Sequence, residues 1–174
     1  VEHRQKLLEK RNQIDLLIAN VEKTIAAKSG GIKMSNKEKF EGFKQKLIDE
    51  NEKKYGKEIR EKYGDEEINK SNAKLKGMSE KEHDEVSSLA EEVMSTLEAA
   101  FKTGNPCGEL AQKTAELHRK WISYYWSSYS KEAHAGLAQM YVDDERFTAY
   151  YDAKQPGMAA FLRDAIFIYT GTNK

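Results

Sequence analysis

Apolar positions recur at helical spacing from one end of this chain to the other, and strand-like alternation is scarce. Leu7, Arg11, Ile14, Ile18, Val21 and Ile25 stand at alternating intervals of four and three. That is a coiled-coil seam interrupted by one arginine and flanked by charged and amide residues. So narrow a seam on a helix of this length is marginal in water and requires a partner helix, either a second copy of the chain, which is the expectation, or the chain's own domain. Ser29-Gly30-Gly31 ends the helix and reads as a hinge. Ser35 to Glu38 and Ser79 to Glu82 then have the Ser-x-x-Glu form of a capping box, each opening a helical pattern.

The helix opened by Ser35 shows Phe40, Phe43, Leu47, Asn51 and Tyr55 on one face, and its apolar stripe fades quickly. From Lys53 to Gly77 the chain is mostly Lys, Glu, Asn and Gly, echoes itself in KYGKEI and KYGDEEI, and anchors only through Tyr55, Ile59, Tyr63 and Ile68. Such a stretch buries little apolar area per ordered residue and lies close to its order–disorder balance, so residues 36–77 are expected to form weak helices that act as a cover. The helix opened by Ser79 carries Val86, Leu89, Val93, Leu97 and Phe101 at core spacing. It should end near Gly104, with Asn105-Pro106 starting the next helix, where proline in the first turn costs least. That next helix is predicted to run through Leu110, Leu117 and Trp121 and beyond, until Ser130 or a neighbour separates it from Glu132 to Val142. Asp143 or Asp144 caps a short helix holding Phe147 and Tyr151, and Gln155-Pro156 opens the last. There Met158, Phe161, Leu162, Ala165, Ile166 and Tyr169 form a wide apolar face, so that about five helices from residue 79 onward share one core.

The densest signal is aromatic: residues 109–151 hold both tryptophans and most of the tyrosines. On a continuous helix Trp121, Tyr125 and Ser128 share one face, Ile122, Trp126 and Tyr129 another, and Tyr124 lies between them. Both faces cannot be equally buried in one interface, so some of these rings line a groove, a second interface or solvent. The alternatives are an unusually aromatic core and a pocket for something flat and apolar.

Composition narrows the choice of partners. Lys+Arg and Asp+Glu both number 29, which leaves no net charge to draw nucleic acid or an anionic membrane to the whole surface. A mean hydropathy of -0.83 and only short apolar runs exclude a transmembrane helix, and nothing resembles a signal peptide, so a soluble protein without a membrane partner is expected. One cysteine, Cys107, rules out an intrachain disulfide and fits a reducing cytoplasm. The chain opens at Val1 already inside a helical pattern and is expected to be the C-terminal part of something longer.

Catalytic and metal chemistry find little support. Glu80-Lys-Glu-His83 has the Glu-x-x-His spacing of carboxylate-bridged metal bundles, but no second copy exists, and no metal site is expected. His118 and His134 lie on helices among aromatics, where they read as hydrogen-bonded structural histidines or ligand contacts rather than haem ligands. Cys107 has no histidine next to it in sequence, and Gly30-Gly31 lacks the Lys-Ser/Thr of a phosphate loop. Neither an enzyme nor a bound cofactor is expected.

The run Leu137-Ala-Gln-Met-Tyr-Val-Asp-Asp-Glu-Arg-Phe147, followed by Pro156-Gly-Met-Ala-Ala-Phe-Leu-Arg-Asp-Ala-Ile166, resembles the C-terminal signature of the TipAS family, the antibiotic-recognition domain of MerR-type transcriptional activators. Gly104-Asn-Pro106, His118-Arg119 and, more weakly, Tyr63-Gly-Asp65 with Ser71 extend the resemblance over about residues 36–170. It implies an all-α fold, a globin-like helical bundle without haem, preceded by a long coiled-coil dimerisation helix. The implied divisions are a coiled coil at 1–28, a hinge at 29–35, a mobile helical lid at 36–77 and an effector-binding core at 78–174. The implied function is the effector-binding and dimerisation region of a MerR-family transcriptional activator in the cytoplasm. Such a region is a homodimer through Leu7, Arg11, Ile14, Ile18, Val21 and Ile25, and meets promoter DNA and RNA polymerase only through the full-length protein. The ligand implied is a small hydrophobic compound or a peptide antibiotic, around which the lid orders. In family members that capture the ligand covalently the cysteine falls at Gly136, and another family cysteine falls at Tyr129. Neither position is cysteine here, so reversible binding is expected, by stacking on Trp121, Tyr125, Trp126 and Tyr129 with His118, Tyr141, Phe147 and Tyr151 contributing. The alternative is a structural helical dimerisation module whose aromatics are core and which takes no ligand.

Overall fold

The computed structural model describes residues 4, 7, 11, 14, 15, 17–22, 24, 25 and 35–172, which leaves the Gly30-Gly31 hinge outside the described residues. The chain divides into two compact units, Val1–Lys57 and Glu58–Lys174.

In the first unit the described residues between 4 and 25 are helical and exposed, the apolar seam positions Leu7, Ile14, Ile18, Val21 and Ile25 among them. Helix α1 (Asn36–Tyr63) opens on the expected capping box, with the Glu38 amide donating to Ser35 Oγ (3.2 Å) and the Ser35 amide to the Glu38 carboxylate (3.0 Å). Lys44 is fully buried, ion-paired with Glu41 at 3.0 Å and set over the Phe40 ring.

Helix α1 stops at Gly64, whose φ of 84° no L side chain adopts without strain. Helix α2 (Asp65–Gly77) begins there with Asp65, Glu66 and Glu67 in its first turn, where carboxylates complement the exposed amides. No residue of α2 is buried, as its weak apolar stripe implies. Five helices follow, matching the number expected: α3 (Glu80–Phe101), α4 (Glu109–Ser123), α5 (Lys131–Asp143), α6 (Glu145–Tyr151) and α7 (Met158–Thr170). Ser79 and Glu82 form the second capping box, and Asp144 caps α6 by accepting from the Arg146 amide.

Helix α7 organises the core because it packs against α3, α4, α5 and α6. Its Met158, Phe161, Leu162 and Ile166 are buried, each large side chain contributing about 1.5–3 kcal/mol of transfer free energy. Ala100, Ala111, Ala115, Ala138 and Ala159 line the seams and let the helices approach closely. Both prolines stand before their helices rather than in the first turn. Asn105 accepts the Gly108 amide through its carbonyl oxygen (3.1 Å) and the Cys107 amide through Oδ1 (3.2 Å), so Pro106 lies in a turn and α4 starts after Gly108. At α7 the Asp152 carboxylate accepts from the amides of Gly157 (2.9 Å) and Ala159 (2.7 Å), a cap supplied from the preceding helix end.

Candidate functional site: an aromatic turn above a buried histidine pair

The continuous helix expected through Tyr129 does not form: α4 ends at Ser123. The chain tightens there, with the Tyr124 amide donating to Trp121 O (3.3 Å), Tyr125 to Ile122 O (3.0 Å) and Trp126 to Ile122 O (2.9 Å). Tyr-Tyr-Trp-Ser-Ser-Tyr-Ser is poor helix-forming sequence, and Ser130 is committed to accepting the Ala133 amide as the cap of α5. The two-faced helical wheel drawn from sequence therefore does not apply to residues 124–129, which form a turn.

Helix α2 grips this turn. Lys74 Nζ donates to the carbonyls of Ser123 (3.1 Å) and Trp126, meeting the orphan carbonyls at the end of α4 with a positive charge. The Ser127 hydroxyl donates to Glu67 (2.6 Å), a bond that, with Lys70, holds the Glu67 carboxyl below its ordinary range. Nearby, the Tyr63 hydroxyl contacts Met140 Sδ at 3.5 Å. The Arg146 guanidinium bridges Asp144 and Glu58, and Asp144 is pulled down to about 2 chiefly by that hydrogen bond. Every one of these contacts is polar or marginal, so the segment from Glu58 to Gly77 is attached without burying an apolar side chain fully.

Beneath the turn lies a buried polar series. His118 on α4 and His134 on α5 stack at 5.0 Å, with His118 Nδ1 and His134 Nε2 at 2.8 Å. His118 Nε2 meets the Tyr141 hydroxyl at 3.1 Å, and His134 Nδ1 meets that of Tyr129 at 3.2 Å. Burial drives both imidazoles toward the neutral form: His118 falls to about 3, with the neighbouring His134 adding to the effect, and His134 falls to about 4, with Arg119 adding. Burial also pushes the Tyr141 and Tyr151 hydroxyls well above their ordinary value. At the rim, Arg119 forks onto Glu116 (2.7 and 2.9 Å), the Tyr169 hydroxyl donates to the same carboxylate, and together they hold Glu116 down at about 2.

The sequence-predicted residues divide into two groups. Trp121 meets Tyr125 edge-on (5.9 Å) and His118 (5.6 Å); Tyr141 meets Phe147 (5.7 Å) and Tyr151 (4.7 Å); Tyr129 meets His134 (5.6 Å). Of these, His118, Tyr141 and Tyr151 are interior side chains, closed to a ligand unless the core opens. Trp121, Tyr125, Trp126, Tyr129 and Phe147 are half-buried, and Trp126 meets α2 through its carbonyl. Lys74, Glu67, Ser127 and the direct pairing of His118 with His134 were not legible beforehand. The nearest signal was that His134, Ala138 and Tyr141 share one face of their helix.

Available space is unevenly placed. The crevice beside Trp121, lined by Ala90, Val93, Met94, Tyr150 and Tyr151, measures about 20 Å³, room for one water. A larger space, an open groove of about 610 Å³, belongs to the first unit, where Leu17, Val21, Gly42 and Phe43 are among the residues that line it. None of the predicted ligand residues lines it. Among the described residues no group of three or more His, Cys, Asp or Glu is placed to hold a metal ion, and both ring nitrogens of His118 are already engaged. Cys107 is exposed, its Sγ at 2.9 Å from Asn105 Oδ1. No helix among the described residues is long and apolar enough to cross a membrane.

Comparison with known proteins places this geometry. The profile of the TipAS antibiotic-recognition domain matches residues 55–169. The chain is 34% identical over 156 residues to the HTH-type transcriptional activator TipA of Streptomyces coelicolor, covering 88% of this chain and 60% of that protein. It is 28% identical over 163 residues to the HTH-type transcriptional activator mta of Bacillus subtilis, covering 94% of this chain and 63% of the relative. The chain thus spans less than two thirds of the length of these relatives. Among solved structures, TipAS of Streptomyces lividans in complex with nosiheptide, from a thiopeptide antibiotic multidrug resistance system, superposes with a TM-score of 0.60 at 32% identity. That match covers 82% of this chain and 98% of the other, so the two share the all-helical, globin-like bundle expected from sequence. By the extent of the profile match and the identity to TipA, the chain belongs to the TipAS antibiotic-recognition domain family.

Proposed function

We propose that this chain is the effector-binding and dimerisation region of a cytoplasmic MerR-type transcriptional activator that binds bulky hydrophobic compounds, peptide antibiotics among them, reversibly and without catalysing their turnover. The similarity to TipA and mta, both named as transcriptional activators, and to a TipAS domain holding nosiheptide supports the class of function. The observation that carries the mechanism is α2: it buries no residue, yet closes the aromatic turn through Lys74 and Glu67. A crevice of about 20 Å³ is far below the few hundred Å³ a drug-sized ligand needs, so a ligand must displace part of this cover to reach Trp121 and Tyr125. Displacement costs little, because what is broken is polar and refilled by water. Stacking on Trp121, Tyr125, Trp126 and Tyr129, with Phe147 alongside, supplies the affinity. His118, Tyr141 and Tyr151 act from beneath. Reordering of residues 36–77 around the ligand then transmits occupancy toward the coiled coil at 1–28, through the hinge at 29–35.

The exposed Leu7, Ile14, Ile18, Val21 and Ile25 support a second copy as the partner of the first helix, with Arg11 on the same seam. Promoter DNA and RNA polymerase are partners of the full-length regulator. The test is a titration with nosiheptide, following tryptophan fluorescence and protease sensitivity between residues 36 and 77. Saturable quenching with protection of that segment is expected, and no change in either signal defeats the reading. Light scattering on Ile14→Asp with Ile18→Asp tests the dimer, which should dissociate.

A further inference from the structure

Four side chains cross the core of the second unit as one hydrogen-bonded series: Tyr129 to His134 Nδ1 at 3.2 Å, His134 Nε2 to His118 Nδ1 at 2.8 Å, and His118 Nε2 to Tyr141 at 3.1 Å. The histidines are fully buried and Tyr141 nearly so, whereas Tyr129 stands half-buried at the turn. Both imidazoles are held neutral by burial, so each carries one N–H, and each tyrosine carries one O–H. Four protons therefore serve three hydrogen bonds.

Only two arrangements put one proton in every bond. In the first, Tyr129 donates to His134 Nδ1, His134 donates from Nε2 to His118, and His118 donates from Nε2 to Tyr141. The spare proton is then that of Tyr141, left to turn toward Tyr151, whose ring lies 4.7 Å from its own. In the second, Tyr141 donates to His118 Nε2, His118 donates from Nδ1 to His134, and His134 donates from Nδ1 to Tyr129. The Tyr129 proton is now free to point out of the core. Any mixture leaves two hydrogens or two lone pairs facing each other in a buried bond, where an unmade hydrogen bond is most costly. The two rings consequently share one tautomer, both Nε2–H or both Nδ1–H, and change as a pair.

We propose that His118 and His134 are positioning residues that act as one unit to set whether Tyr129 meets a bound compound as a hydrogen-bond donor, and that the feature read there is an acceptor such as a peptide or amide carbonyl. The proposal rests on the effector-binding reading above. A carbonyl at Tyr129 takes the outward proton and selects the second arrangement, in which Tyr141 donates to His118 the proton it has received from that ring and gives up the one it held toward Tyr151. Protons balance: one enters from solvent at Tyr129, three shift one place along the bonds, and one leaves past Tyr151, whose crevice beside Trp121 has room for a water. No charge accumulates in the core.

The experiment is a long-range 1H–15N correlation spectrum of the histidine rings near neutral pH, with and without saturating nosiheptide. Both rings are expected as Nε2–H in the free protein and both as Nδ1–H in the bound one. In Tyr129→Phe the second arrangement would leave a buried N–H unmet, so the pair should stay Nε2–H and nosiheptide should bind up to about tenfold more weakly by fluorescence. Opposite tautomers in the free protein, or nosiheptide bound with both rings unmoved, overturn this proposal alone. Failure of the wild type to bind nosiheptide overturns the effector-binding reading and the role of Tyr129 with it, while the shared-tautomer rule is still decided by the free spectrum.

Discussion

Mild acid should destabilise this protein well before its carboxylates titrate. His118 and His134 are held at about 3 and about 4 in the fold, whereas each imidazole returns to about 6.5 in the unfolded chain. Between those limits the unfolded state binds two more protons than the folded one. Stability is therefore complete above the unfolded value and is lost as pH falls through the window from about 6.5 to about 4. Two protons give a limiting slope of about 2.7 kcal/mol per pH unit. At about pH 5 the folded pair is still neutral while each unfolded histidine has gained about 2 kcal/mol by protonation, so the pair together costs about 4 kcal/mol relative to about pH 7.5. For a chain of this size that is a fall in Tm of about 8–16 °C. The assay is urea unfolding followed by circular dichroism in half-unit steps over that range, on the wild type and on His134→Gln, which should show about half the slope. A stability that is flat across the range refutes the argument, and so does an undiminished slope in His134→Gln. A second loss should begin below about pH 4.5, because Arg119 and the Tyr169 hydroxyl hold the Glu116 carboxyl at about 2, and that stabilisation fades as pH drops through the depressed value.

Three further outcomes follow from the packing. Lys74→Met removes the donor to the Ser123 and Trp126 carbonyls, so amide exchange in α2 should quicken about fivefold or more while the unfolding of α3 to α7 is unchanged. Gly64→Ala forces an L side chain to φ 84° and ψ 152°, a region nearly reserved for glycine, and should cost about 1–3 kcal/mol or reset the α1–α2 junction, seen as new protease cleavage there. Leu162→Ala opens a cavity in the fully buried centre of α7 and should cost about 2–5 kcal/mol in urea titrations, against little change for Ala at the exposed Leu110.

What sequence made legible was whatever a few neighbouring residues decide. Ser35–Glu38 and Ser79–Glu82 cap their helices as read, because a capping box is closed within four residues. Most of the predicted stripes of α3 and α7 is buried, with Leu89, Phe101 and Tyr169 half-buried at their edges, because a wide apolar face has only one stable environment. The end of α4 falls earlier than its sequence predicts for the converse reason: its last carbonyls are met by Lys74, 49 residues upstream of Ser123, and no local pattern announces such a donor. His118 and His134 were each placed on a helix among aromatics, but the sequence carries no sign that the two rings would hydrogen-bond each other across 16 residues. Buried polar contacts of this kind depend on a packing that exists only once the helices have assembled.

The echo KYGKEI and KYGDEEI shows where the same limit touches function. Gly56 and Gly64 sit in the same tripeptide, yet Gly56 is buried inside α1 and Gly64 breaks the helix at φ 84°. The residues that follow decide it. Asp65, Glu66 and Glu67 favour the start of a new helix, and Arg60 closes onto Asp65 at 2.8 Å to hold the corner. A glycine corner followed by an acid-capped helix with no buried side chain gives a segment whose ordered and open forms differ little in energy. A rigid module would gain nothing from that economy, because α2 adds almost nothing to the core that α3 to α7 already complete. A sensor does gain, since a ligand can bias only an equilibrium that lies within reach of its binding energy. Glu67 then gains a role beyond helix capping: the same carboxylate that favours the first turn of α2 takes the Ser127 hydroxyl, so the device that starts the cover also fastens it to the aromatic turn.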